Sequence, residues 1–231
     1  MALINTQTKA DDAVATLHYI FDPLCGWCYA VAPLVEAARQ VAGLKIELHG
    51  GGMMTAANGR RKMITPEWRE YVKPNDLRIA QLSGQTFGDA YHEILLNDMT
   101  AVLDSEPPTI AILAAESIAE RGLDMLHRLQ QAHYLEGRRI ADFSVLDDIA
   151  IEMGLDVHLF KAAMQAQTGL AIQQHFGKSH ALLNRIGGGG FPTFILGNAN
   201  RQIQRLDSTI WLGRPEAWQA HLEQMIKHGS G

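Results

Sequence analysis

The first sustained pattern in the chain is the β-branched and aromatic run Thr16-Leu17-His18-Tyr19-Ile20-Phe21, which predicts a strand. Asp22-Pro23-Leu24 interrupts it, and apolar residues at helical spacing follow over residues 29–41. Residues 44–49 alternate apolar and polar and predict a second strand, closed by Gly50-Gly51-Gly52. A loop-like stretch over residues 53–62 carries Arg60-Arg61-Lys62, which we read as a solvated basic loop. From Pro66 to about Ile186 the period is helical and strand signals almost vanish. Thr65 is a predicted N-cap with Pro66 in the first turn. Pro107-Pro108 opens a helix over 109–121 that Gly122 is expected to end. Further helices are predicted over 124–136, 144–153, 156–166 and 169–186, with Gly137 and Gly154 as stops. The β character returns after Gly187–Gly190, first over 191–196 and then in a shorter strand over 201–206. A last amphipathic helix spans 216–227, with Trp218, Leu222, Met225 and Ile226 on its apolar face.

The resulting order is β-α-β, a helical block, then β-β-α. A strand, crossover helix and second strand argue for parallel pairing, and the closing strand pair for an antiparallel hairpin. The class is α/β, with a large all-helical insertion over 63–186 between a first half over 14–62 and a second over 187–231. The 231 residues suffice for a substantial core without disulfides. A net charge of −5 argues against a nucleic-acid or anionic-membrane surface. No apolar run approaches the roughly 20 residues that span a bilayer. The first fifteen residues hold no apolar core of a signal peptide, so a cytoplasmic protein is expected.

Composition matters most in its cysteines. There are two, in Cys25-Gly26-Trp27-Cys28, where the first strand gives way to the first helix. At a helix start, unpaired N–H groups and the macrodipole favour an anion, so Cys25 is the expected nucleophile. Cys28, about one turn on, is placed to resolve a mixed disulfide. A structural disulfide across two residues would close too small a loop to stabilise much. C-x-x-C is also zinc spacing, but there is no second pair, and His18 and His49 lack H-x₃₋₅-H spacing. In a reducing compartment such a pair is catalytic or sensing rather than structural. We expect a dithiol couple and no metal ligands.

The residues 21–29 (Phe-Asp-Pro-Leu-Cys-Gly-Trp-Cys-Tyr), 134–140 with 146–155, and Gly190-Phe191-Pro192-Thr193-Phe194 together resemble the DsbA family of thioredoxin-fold thiol–disulfide oxidoreductases, the cytoplasmic FrnE-like branch being nearest. The resemblance covers nearly all the chain beyond the first dozen residues. It implies a thioredoxin-like fold with a helical insertion, and a cis Pro192 facing the cysteines. Phe191 would then offer its backbone to a substrate strand, as in strand addition. The second cysteine pair that some FrnE-like proteins carry near the C-terminus is absent from this sequence. Gly26-Trp27 differs from the intervening dipeptides of thioredoxins and of periplasmic DsbA. The resemblance implies no metal or organic cofactor; the electron partner would be glutathione or a protein reductant, and glutathione is also an option as a bound ligand. Partners would be disulfide- or thiol-bearing proteins or small thiols; homodimerisation is compatible with it.

Other residues carry two readings each. Asp22 is either a group that tunes Cys25 or an ordinary Asp-Pro turn. Trp27 is either an apolar platform for substrates or packing against the insertion. His18 is either a proton acceptor near Cys28 or a packed histidine. Met53 and Met54 line the groove or fill the core. Two other functions remain: a glutathione-dependent transferase or isomerase of the kappa-class type, and a non-catalytic chaperone-like peptide-binding module.

Overall fold

The computed structural model describes residues 15–198 and 202–229; Val14, Arg201 and the other residues of the chain lie outside it. Strand β1, Ala15–Phe21, pairs in parallel with β2, Leu44–Gly50. Two short helices join them: α1, Gly26–Ala30, and α2, Ala32–Ala38. Late in the chain β5, Thr193–Asn198, pairs antiparallel with β1 and with β6, Ile203–Leu206, so the sheet order is β2-β1-β5-β6. The parallel pair and the antiparallel hairpin are both as expected.

One face of the sheet carries Leu17, Tyr19, Phe21, Phe194 and Leu196 into the main core. Tyr19 and Phe194 stack at 4.8 Å, and Phe194 meets the fully buried Trp218 of the last helix, α9, Pro215–Gly229. The other face presents Ile20 and Ile195 to Leu183 of α8, Leu170–Arg185.

Between β2 and β5 lie a ribbon of two two-residue strands, six α-helices, one π-helical turn, Ala90–Ile94, and one 3-10 turn, Leu95–Asn97. The helices are α3, Pro66–Ser83; α4, Glu106–Ala119; α5, Gly122–Tyr134; α6, Phe143–Glu152; α7, Val157–Ala166; and α8. Thr65 caps α3 as expected, its Oγ1 accepting from the Trp68 N–H at 3.2 Å. A single core cluster runs from the sheet into this block, and α3 packs on α1.

Three local expectations are corrected. The single helix over 29–41 is broken at Val31, because Pro33 has no N–H for the Tyr29 carbonyl. The Gln85 side chain bonds that carbonyl instead, at 2.8 Å. Gly122 does not end α4: Glu120 takes the left-handed turn (φ 54°), and Gly122 opens α5. There its N–H donates to Glu116 Oε2 at 2.9 Å, and a Cβ would strike that carboxylate. Finally, the helical region contains a strand, β4, Val102–Leu103, paired antiparallel with β3, Lys62–Met63. Two residues are too few to leave an alternation signal.

Candidate active site

The antiparallel β1–β5 pairing sets Ile20 opposite Thr193, so the turn that leaves β1 meets the turn that enters β5. The first turn carries the cysteines and the second carries the Phe191–Pro192 peptide, which is cis. The Cys25 Sγ–H donates to the Phe191 carbonyl at 3.4 Å, across 166 residues of sequence. Thr193 Oγ1 bonds the Gly190 carbonyl at 2.9 Å and steadies that turn. Phe191 in turn packs over Gly51, where a Cβ would fall inside its ring.

Both cysteines are reduced. Cys25 caps α1 and is only 7% exposed; Cys28 is fully buried. Burial pushes the Cys28 thiol well up, and its hydrogen bond to Cys25 adds to this. The Asp22 N–H approaches Cys28 Sγ at 3.5 Å, and the Tyr19 hydroxyl bonds the Cys28 carbonyl at 3.3 Å. Cys28 is therefore a thiol at rest. Because α1 is a single turn, the macrodipole expected beneath Cys25 is short.

Asp22 is a buried junction. Its Oδ1 accepts from the Leu24 N–H and the Ser105 hydroxyl, both at 2.9 Å, and its Oδ2 from the Met53 N–H at 2.6 Å. Desolvation raises its pKa, against the pull of these three donors. The Asx turn at Leu24 and the ties to Ser105 and Met53 join β1 to the loop after β2 and to the start of α4. Nothing in the sequence marked Ser105 as their partner, because it lies 83 positions away.

Beside Cys25 opens a cavity of about 170 Å³, lined by Trp27, Met53, Met54 and Asp76 among others. Trp27 is half-buried, with the Arg78 guanidinium 5.8 Å from its ring, so it both borders the cavity and touches the insertion. Met54 is core and Met53 half-buried; both reach the cavity. Gly26 is pressed by α3: a Cβ there would meet Ile79 Cδ1 at 2.8 Å. Asp76, on α3, accepts from the Tyr91 hydroxyl, while its Oδ2 has no partner. Burial lifts it to about 7. Sequence reasoning missed it, because an acid on a helix reads as a solvated position.

His18 does not reach Cys28. It lies against His49 and Glu47, 3.0 Å and 3.2 Å away. The basic loop is largely exposed, with Arg61 paired to Asp104 at 2.7 Å.

A thioredoxin-like sheet, a helical insertion, and C-x-x-C facing a cis-proline turn define a DsbA-type thiol–disulfide oxidoreductase. The chain belongs to the DSBA-like thioredoxin domain family, whose model matches residues 16–216. It is 48% identical to the cytosolic disulfide reductase DsbM from Pseudomonas aeruginosa, with a TM-score of 0.85 over 92% of this chain and 98% of that one. That protein has also been solved with GSH, matching here with a TM-score of 0.84. The thiol-disulfide exchange protein alpha-DsbA2 from Wolbachia pipientis, 15% identical, shares the fold (TM-score 0.53; 94% of this chain, 83% of that one). Among curated proteins, the ClpXP adapter protein SpxH of Bacillus subtilis is 25% identical over 166 residues, 68% of this chain. The chain spans about half the length of that relative (51%).

Proposed function

We propose that the protein is a cytosolic disulfide reductase that passes electrons from glutathione, through Cys25 and Cys28, to disulfides of extended peptides or small molecules. The observation that carries this reading is the Cys25 Sγ–H held 3.4 Å from the Phe191 carbonyl, at the edge of the cavity that Trp27 borders. A substrate strand laid along Phe191 would bring its disulfide to that sulfur. Cys25 attacks as thiolate, forming a mixed disulfide and releasing one substrate thiolate. Cys28 then attacks Cys25, yielding the Cys25–Cys28 disulfide and the second substrate thiol. Two glutathione molecules restore the dithiol and leave as glutathione disulfide, so two electrons move per cycle. The raised Cys28 pKa suits this order: Cys28 keeps its proton until a mixed disulfide stands beside it.

Glutathione as donor is supported by the 48% identical reductase solved with GSH, and a cytosolic setting by that protein's description. The cavity suits a small thiol. It is mostly apolar, and the unpartnered Asp76 Oδ2 on its wall can accept from a ligand's N–H donor.

A redox titration in glutathione buffers, followed by tryptophan emission, tests the proposal. One reversible two-electron transition is expected, lost in Cys25→Ser. Cys28→Ser should accumulate a glutathionyl adduct on Cys25 and stop turning over. Full turnover by Cys28→Ser would overturn the dithiol mechanism in favour of a glutathione-dependent transferase.

A further inference from the structure

The sheet face that carries Ile20 and Ile195 also carries a cluster the redox chemistry leaves unused. In the parallel register His18 of β1 sits opposite Glu47 of β2, and His49 follows two residues on, on the same face. His18 Nδ1 lies 3.0 Å from His49 Nε2 and 3.2 Å from Glu47 Oε2, and His49 Nε2 lies 4.0 Å from the same oxygen. A circle through three points so spaced has a radius of about 2.0 Å, the length of a zinc–imidazole or zinc–carboxylate bond. One point therefore stands at bonding distance from all three atoms. The three side chains are 20%, 38% and 19% exposed, sunk enough to be held and open enough to be reached.

We propose that His18, Glu47 and His49 form a three-ligand site for a divalent, nitrogen-preferring transition ion of the zinc type, with water completing the coordination. The two imidazoles and one carboxylate match the His₂Glu donor set of open zinc sites. A depression of about 260 Å³ over Glu47 and His49 leaves room for the water. Imidazole binds such an ion through the lone pair of its neutral form. One ring now donates an N–H to the other. The ion takes its place when that ring moves the proton to its other nitrogen, so no net proton is released. Lys45 holds Glu47 Oε1 at 3.2 Å and leaves Oε2 for the ion. His175 of α8 is engaged elsewhere, its Nε2 accepting from the Gly50 N–H at 2.9 Å. Lys45, Lys178 and Arg185 oppose a further positive charge, which places the affinity below that of a four-ligand structural site. None of the three ligands lines the cavity beside Cys25.

The probe is Zn²⁺, titrated against a chromophoric chelator in a Cys25→Ser/Cys28→Ser background that removes thiolate binding. One equivalent should bind, and zinc should raise Tm. His18→Gln/His49→Gln in that background should weaken binding about tenfold or more and abolish the Tm rise. The single substitution Glu47→Gln, at a half-buried position, repeats the test where the histidine pair impairs folding, as judged by circular dichroism. In the wild-type cysteine form, zinc should shift the ¹⁵N resonances of His18 Nδ1 and His49 Nε2. Absence of stoichiometric binding in the serine background would overturn the proposal. So would binding that survives loss of both histidines.

Discussion

Burial alone lifts the Asp76 carboxyl to about 7, since the Tyr91 hydroxyl is its one donor and Oδ2 has none. The unfolded chain ionises this group near its ordinary value of 3.8. A folded-state pKa raised above the unfolded one means stability is full below pH 4 and is lost as pH rises towards 7, after which it levels off. Asp76→Asn removes that slope. Its stability relative to wild type, from denaturant titrations, should grow by about 2–3 kcal/mol between pH 5 and pH 8. A difference flat in pH would mean the carboxyl is ionised in the native state. At this scale the sequence disclosed the Cys25–Cys28 pair and the Pro192 turn that faces it, because those residue types announce themselves. Asp76 was illegible, since its neighbours in space come from α1, the Ala90–Ile94 turn and α5. His18 and His49 were set aside for their linear spacing, and parallel strand pairing brought them together.

Among the elements, the break between α1 and α2 depends on a substitute partner for one carbonyl. Pro33 leaves the Tyr29 oxygen without its intrahelical donor, and Gln85, beyond the end of α3, supplies one. Gln85→Leu should cost about 1–2 kcal/mol in chemical denaturation, because the group is partly buried and loses its bond. The same variant should leave the Cys25–Cys28 midpoint near that of wild type. Gly51 makes the complementary case. A methyl group there must displace the Phe191 ring, and with it the turn whose carbonyl faces Cys25. Gly51→Ala should slow disulfide exchange with peptides more than with small disulfides, read as a ratio of kcat/KM values. Most helices were readable from proline and glycine punctuation, as with Thr65-Pro66 and Gly154. The failures arose where tertiary partners decided the outcome. Gly122 opens a helix because Glu116 occupies the space a side chain would need, and β3–β4 is held by pairing between distant segments.

Across the whole molecule, Asp22 is the tie between the sheet and the helical block. Its three donors come from the turn after β1, the loop after β2 and the residue that opens α4. Asp22→Ala would leave two N–H groups and the Ser105 hydroxyl without their acceptor. It should lower stability by about 3 kcal/mol or more in denaturant titrations. The overall order, β-α-β, helices, β-β-α, was legible because each change of period came with a break in the chain. The union of the sheet with the helical block through Asp22 was not, since it rests on a residue whose local reading was a turn.

The 166 positions that separate Cys25 from the carbonyl it faces also order events during synthesis. At ribosomal speeds the cysteine pair emerges roughly 8–30 s before Phe191 does. Throughout that interval the nascent chain carries both thiols without the turn that will face them. A ribosome stalled within α8 would therefore hold a thiol pair open to oxidation and adduct formation, and that exposure ends only once Phe191 has been made and has cleared the exit tunnel.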